Sequence, residues 1–285
     1  MTPINDAFNG DSLDVFYEQY RRASRGERGT HFDFPAHEIQ RITNSLSGEE
    51  TAERAISVFE AMMGAYQSVK AISPRRKVLD YGCGWGRITR LLPYYFADEN
   101  IFGVDVNTDL IDSARQTLPS LSFESIESMG RLPYSDSSFD LVFANSVFSH
   151  LSELSATATI TELCRVLAPG GVLLLSVLQH KHLAQFYKSN PEWVTKIIGE
   201  LPDAETVLEE NHFLWGDTKR WDNYGLTFIA DDWLEPAMAE QGLVIKGKVE
   251  GSQNWIVCVK RHTILGLITS TISSLRSLIP REPGP

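Results

Sequence analysis

The chain has 285 residues, 26 basic against 37 acidic, and a formal net charge of -11. That length suits one large domain or a domain with a substantial insertion, and the acidic balance opposes nonspecific binding to a polyanion, so nucleic acid is not an expected partner. Cys83, Cys164 and Cys258 lack metal-ligand spacing and fit reduced thiols in a cytoplasmic protein, the first residues lack a signal-peptide pattern, and no apolar run is long enough to span a membrane.

Residues 1–76 read as a helical extension. A helix is expected over Asp14–Arg25, carrying Phe16, Tyr17 and Tyr20 and broken by the glycines that follow. A second is expected near Ala36–Leu46. Ser47 and Glu50 have the spacing of a capping box. Behind them Ala52, Ala55, Ile56, Phe59, Met62, Met63, Tyr66, Val69 and Ile72 keep helical spacing, which predicts a long helix lying against a sheet, with the methionines as core filler.

Residues 77–261 alternate strand and helix. Strands are expected at 77–81, 101–105, 121–125, 139–144 and 171–177, and helices near 86–97, 108–117 and 153–167. Such alternation predicts a doubly wound α/β sheet with right-handed crossovers and a ligand at the carboxyl ends of its strands. The segment Val78–Leu92 is the most informative. A short apolar run ends in Asp80, Gly82, Gly84 and Gly86 follow at alternate positions, and a helical pattern starts directly after. This is a strand, a tight turn with bare backbone, and helix amides aimed at a ligand. A dinucleotide site wants G-x-G-x-x-G, whereas an acid before G-x-G-x-G repels pyrophosphate and suits an ammonium group. Arg87, just past the last glycine, is placed either to bind a substrate anion or to lie exposed at a helix start.

Val78–Gly86 resembles the first motif of the class I S-adenosylmethionine-dependent methyltransferases. Asp105 at the end of Ile101–Val106, the stretch Leu132–Val142 ("LPF…FD.V") and Arg165–Leu175 ("LkPGG") resemble the family's later motifs, in the same order. The resemblance implies S-adenosylmethionine as cofactor and a Rossmann-like, mostly parallel seven-stranded sheet with an antiparallel last strand. It implies that Asp80 acts at the methionine end, that Gly82, Cys83 and Gly84 bring backbone against the cofactor, that Asp105 holds the ribose and that Val106 touches adenine. By the same resemblance Glu127, Ser128 and Met129 form the adenine edge, and Asn145 and Ser146 follow the fourth strand where carbonyls reach the cofactor amine.

His150, just beyond that strand, is the candidate general base, with capping of the following helix as the competing role. His180 and His182, after the fifth strand, are further candidates. No His or carboxylate cluster suggests a metal, so metal-independent transfer is expected.

Residues 179–230 are aromatic-rich and irregular, with Trp221 and Tyr224 ahead of Gly225. They read either as an acceptor-side cap after strand five, with Trp221 and Tyr224 contacting substrate, or as ordinary packing. A helix near 231–241 and strands at Leu243–Val249 and Trp255–Lys260, an antiparallel edge pair, are expected to close the domain. This closing segment resembles that of bacterial small-molecule and sugar methyltransferases. The tail, residues 262–285, has an amphipathic pattern suited to a membrane surface, a dimer mate or its own domain. The expected function is O-methylation of a small molecule or glycan, a sugar or cell-surface polysaccharide intermediate. N-methylation of a small amine and a non-catalytic cofactor-binding scaffold or regulator are the alternatives. The expected location is cytoplasmic, with at most peripheral membrane contact through the tail.

Overall fold

The computed structural model describes residues 11–200, 207–218 and 224–262. Trp221 and the amphipathic tail past His262 lie outside the described residues. Three helices open the chain, α1 (Leu13–Ser24), α2 (His37–Asn44) and α3 (Glu49–Gln67). In α1 the Ser12 hydroxyl accepts from the Val15 amide, and Phe16, Tyr17 and Tyr20 face inward as their spacing requires. The capping box expected at Ser47 does not form. Gly48 caps α3 instead, at φ 61, and its amide donates to Gln40 Oε1 at 2.8 Å. The buried side-chain carbonyl of Gln40 on the neighbouring helix accepts from the cap residue's amide, the role the Glu50 carboxylate has in a capping box.

The sheet strands are β1 (Val78–Tyr81), β2 (Ile101–Asp105), β3 (Ser122–Ser125), β4 (Phe139–Ala144) and β5 (Leu167–Val177), with α4 (Thr108–Thr117) and α5 (Glu153–Val166) as crossovers. An insertion follows: α6 (His180–Ser189), α7 (Pro191–Ile198), α8 (Val207–Asn211), β6 (Phe213–Asp217) and β7 (Gly225–Ile229). The chain closes through α9 (Asp231–Glu240), β8 (Leu243–Val249) and β9 (Asn254–Lys260). The seven-stranded order is β3-β2-β1-β4-β5-β9-β8, parallel from β3 to β5, with β9 antiparallel to both neighbours. This is the mostly parallel sheet with an antiparallel closing strand that the motifs imply.

Two local differences have clear causes. The helix expected over 86–97 is a 3-10 segment, Thr89–Tyr94. Pro93 lies inside it and has no amide to donate, and the Arg90 side chain bonds the carbonyls of Trp85 and Gly86. Strand β5 begins at Leu167 rather than near 171, because Leu167 pairs with Phe139 before the register shifts and Gly170, at φ 71, turns the chain.

The α1 and α3 aromatics share one core with Val78, Ile101, Leu141, Val172 and Val257 on one sheet face. Helices α5 and α9 bury Ile160, Leu163, Leu234 and Met238 on the other. Arg90 ties the N-terminal segment to the glycine turn. Its fully buried guanidinium lies between the rings of Phe34 and Trp85, 4.9 and 4.8 Å from their centroids, and donates to the Asp33 carbonyl. Desolvated stacking of this kind contributes about 2 kcal/mol. The insertion has a small core of its own, in which Leu178, Leu183, Val194, Leu226 and Phe228 meet Phe186 and Tyr187. Its antiparallel ribbon β6–β7, with Phe213 opposite Ile229, was not anticipated from the sequence.

Candidate active site

The glycine turn folds back on β2: the amides of Gly82 and Cys83 both donate to the Val104 carbonyl, at 2.8 and 3.0 Å. Gly82 and Gly84 have φ of 76 and 56, a region open to glycine and strained for other residues. A Cβ on Gly82 would meet Val147 at 2.4 Å, and one on Gly84 would meet Thr43 of α2 at 2.8 Å. The turn is therefore bare backbone closed in by the β4 loop on one side and α2 on the other. The Trp85 indole donates to Thr43 Oγ1 at 3.2 Å, which fixes α2 there.

Asp80 and Asp105 mark the ends of β1 and β2. Asp80 is buried and accepts a 2.6 Å bond from the Thr89 hydroxyl. Burial pushes its carboxyl up to about 7 against the pull of that bond. Asp105 accepts from the Gly84 amide at 2.8 Å through one oxygen and from the Asn107 amide at 2.9 Å through the other. Burial raises its pKa, and those backbone bonds oppose the rise. Each oxygen retains lone-pair capacity for one more donor.

Beside Asp105, Val106 is 57% exposed, and Met129 across the edge is 45% exposed. Glu127 and Ser128 are exposed too, in a turn closed by the Gly130 amide on the Glu127 carbonyl, and Met129 is left-handed at φ 57. Two large apolar side chains facing water on the edge where ligands bind suit a flat, partly apolar ring. The buried acid, the bare turn and these apolar flanks fit the ammonium, chain and base of S-adenosylmethionine.

Past β4, Asn145 is half-buried and Ser146 is left-handed at φ 58. The Ser146 amide donates to Ser176 Oγ at 2.6 Å, that hydroxyl donates to Gln253 Oε1 at 2.7 Å, and Gln253 Nε2 returns to Ser146 Oγ at 2.8 Å. This closed ring joins β4, β5 and the β8–β9 turn. Neither Ser176 nor Gln253 was singled out from the sequence, since nothing local marks them.

His150 stands next to this ring. Its Nδ1 lies 2.8 Å from the Gly225 carbonyl, and its ring stacks on Tyr224 with centroids 4.1 Å apart and planes 17° from parallel. The amide of Gly225 and the indole of Trp215 both donate to the His150 carbonyl, at 2.8 and 3.3 Å. Thr227 bonds the carbonyls of Ser149 and Leu151. The helix cap of α5 is Ser152, not His150. The β6–β7 ribbon thus lies on the loop after β4, at the same sheet edge as the two acids.

The other candidates fare differently. His182 is corrected: it is buried, its Nδ1 accepts from the Gln179 amide at 2.9 Å, and its Nε2 contacts the Gly251 carbonyl at 3.1 Å. With Nδ1 capping α6 and Nε2 on the Gly251 carbonyl it has no lone pair for an acceptor, and burial lowers its pKa. His180 is half-buried in the first turn of α6. Arg87 is not an exposed helix-start residue. Tyr20 donates to its carbonyl at 2.9 Å, its Nη1 is buried without a hydrogen-bond partner, and burial lowers its pKa while nearby Asp80 opposes the shift. Among the described residues no group of three or more His, Cys, Asp or Glu side chains is placed to share a metal, and no helix is long and apolar enough to cross a membrane.

Residues 78–171 match the family model described as a methyltransferase domain, a span that holds the glycine turn, both strand-end acids and β4. An uncharacterized methyltransferase of Schizosaccharomyces pombe is 29% identical over 54% of this chain and 67% of that protein. A trans-aconitate 2-methyltransferase of Sinorhizobium medicae is 36% identical, over 36% of this chain and 39% of its own length, so the match spans well under half of that relative. A solved Pyrococcus horikoshii protein shares the fold with a TM-score of 0.55 at 22% identity, covering 78% of this chain and 95% of that one. A methyltransferase of Methanosarcina mazei does so at 0.52 and 17% identity, over 70% and 97%. Taken with the seven-stranded sheet, the match shows that the chain carries a class I S-adenosylmethionine-dependent methyltransferase domain, with S-adenosylmethionine as its methyl donor.

Proposed function

We propose that the enzyme methylates a hydroxyl oxygen of a small molecule or glycan, with His150 as general base and a sugar or cell-surface polysaccharide intermediate as the acceptor class. When bound, S-adenosylmethionine supplies a methyl on a sulfonium, whose carbon–sulfur bond breaks as the new oxygen–carbon bond forms, leaving a neutral thioether. Asp80 would hold the amine of the methionine end, Asp105 the ribose hydroxyls, and Val106 and Met129 the adenine. Gly82, Cys83, Gly84, Asn145 and Ser146 would hold the methionine chain. The ribbon, with Tyr224, covers the acceptor and keeps water from the reacting edge. His150 takes the proton that the hydroxyl loses.

The observation that carries this reading is the placement of the His150 ring at the carboxyl end of β4, held at Nδ1 and backed by Tyr224. Turnover of methyl-labelled cofactor against a panel of sugars and phenols tests it. An alkali-stable methyl ether as product supports the reading, and a product formed only on amines sinks it.

A second reading has one specific support. The buried, unpartnered Nη1 of Arg87 suits a carboxylate, and several relatives matched over 35–36% of this chain are trans-aconitate 2-methyltransferases. A carboxylate acceptor needs no base. Its product, a methyl ester, releases methanol in alkali, which separates the two readings.

A further inference from the structure

We infer that Gly225 is a positioning residue of the reaction: its backbone carbonyl, delivered by the insertion, selects the ring tautomer of His150 that leaves the lone pair on Nε2. The inference rests on the proposed role of His150 as base, and goes beyond it by naming what makes that histidine competent.

A carbonyl only accepts. The 2.8 Å contact between His150 Nδ1 and the Gly225 carbonyl therefore requires the proton on Nδ1. In a neutral imidazole the lone pair then belongs to Nε2. This is the minor tautomer of a histidine in water, so something must hold it. The same residue holds the other end: the Gly225 amide donates to the His150 carbonyl at 2.8 Å. Two reciprocal bonds between one pair of residues make a small two-stranded junction, which Thr227 extends to Ser149 and Leu151. Both angle and tautomer of the ring are fixed by chain that lies 75 residues away.

The site also requires glycine. A Cβ on Gly225 would meet Trp215 Nε1 at 2.1 Å and the Gly216 carbonyl at 2.6 Å, and backbone that close does not yield cheaply. The φ of Gly225 is not the constraint; the crowding by Trp215 and Gly216 of the paired strand β6 is. When the hydroxyl proton passes to Nε2, the ring becomes an imidazolium with both nitrogens protonated. The Gly225 carbonyl then accepts from a charged donor, and that bond strengthens as the charge forms. The insertion therefore acts on the reaction through His150 as well as by covering the acceptor.

The test is nitrogen-15 NMR of the full chain labelled in histidine, at about pH 8, above the ordinary imidazole range, with His150 signals assigned by their loss in His150→Gln. The expected result is a protonated Nδ1 and an unprotonated Nε2. A wild-type spectrum showing Nε2 protonated overturns the inference, and this outcome needs no variant to fold. Gly225→Ala should move His150 toward the ordinary tautomer and lower kcat by roughly 10- to 100-fold, with little change in cofactor affinity. Trp215→Phe, which removes one donor to the His150 carbonyl and keeps the glycine, should shift the signals less and in the same direction. A Gly225→Ala protein that keeps both the wild-type tautomer and the wild-type kcat also overturns it. If His150→Gln retains normal turnover while the spectrum shows Nδ1 protonated, the base reading fails and the tautomer assignment stands.

Discussion

The two halves of the carboxyl edge are built differently. Around β1 and β2 the strand-end acids and the glycine turn are tied by bonds between adjacent strands, such as the Gly84 amide to Asp105, 21 residues apart, and the Trp85 indole reaches Thr43 of α2, 42 residues away. Around β4 and β5 the organising bonds reach 75 residues, from His150 to Gly225, and 107, from Gln253 to Ser146. In the proposed reading the first half would hold the cofactor by backbone and two acids, and the second would assemble an acceptor site from three separate parts of the fold. Local turn chemistry is enough to build the first half, whereas the second depends on what is inserted after β5.

The largest effect that follows from this contrast is on the acceptor side. His150→Ala should lower kcat by about 10²–10⁴ while leaving cofactor affinity unchanged. Measured by steady-state kinetics and calorimetry, a loss of cofactor binding instead would show that the two halves are not separable.

On the cofactor side, Asp105→Ala should weaken S-adenosylmethionine binding by about 1.5–3 kcal/mol through lost charge-assisted bonds. Part of that loss reflects a slackened turn, because Asp105 also holds Gly84. Titration with S-adenosylhomocysteine separates the parts: it keeps the ribose and lacks the sulfonium charge, so an equal loss for both ligands places the effect at the ribose and turn. Unchanged affinity in a folded variant removes Asp105 from the cofactor.

The contrast also explains what was legible in the sequence. The places of Asp80, Gly82, Gly84 and Asp105 at strand ends and in the turn could be read because strand ends, tight turns and helix starts each constrain residue type locally, and the parallel sheet followed from strand–helix alternation. The segment after the turn is not the expected helix because Pro93 has no amide to donate and the Arg90 side chain takes the Trp85 and Gly86 carbonyls. The β6–β7 ribbon was missed because its strands are short and pair across a break in the pattern, and its register is set by contacts with Ser149, His150 and Leu151. The same non-locality concealed Ser176 and Gln253. His182 illustrates the converse. Its position after β5 suggested chemistry, and only the fold shows both ring nitrogens spent on backbone.

A smaller effect, on pH dependence, sharpens the cofactor half. Burial raises Asp80 from 3.8 to about 7, and Asp105 moves in the same direction. Between about pH 4 and 7 the folded chain therefore holds a proton that the unfolded chain has lost, so Asp80 makes stability fall as pH rises across that window. Above it the full penalty of a buried carboxylate remains. An ammonium group bound at Asp80 offsets that penalty, so cofactor should stabilise the protein more at pH 8 than at pH 6 and should release protons on binding at the lower value. Asp80→Asn should flatten the stability profile of the free protein and abolish most of the proton release. Thermal unfolding across pH, and calorimetry in buffers of differing ionisation heat, read the two effects. An unaltered proton release in the Asn variant would place the titrating group elsewhere.

The smallest effect belongs to Tyr224, and it tests whether the ribbon does more than fix a tautomer. Its ring lies on the His150 imidazole at 4.1 Å, nearly parallel, so the pair contributes about 0.5–1.5 kcal/mol beyond its buried area. Tyr224→Ala removes that surface without touching the Gly225 carbonyl. The His150 ring keeps its bond at Nδ1 but loses the wall against which an acceptor is pressed. The acceptor KM should therefore rise, or kcat fall, by no more than about tenfold, and cofactor affinity should stay within a few tenths of a kcal/mol. Tyr224→Phe keeps the ring and should restore most of the loss, which separates stacking from anything the hydroxyl contributes. If Tyr224→Ala leaves acceptor kinetics unchanged, the ribbon acts on the reaction only through the backbone of Gly225, and the aromatic residues of the insertion serve its own small core.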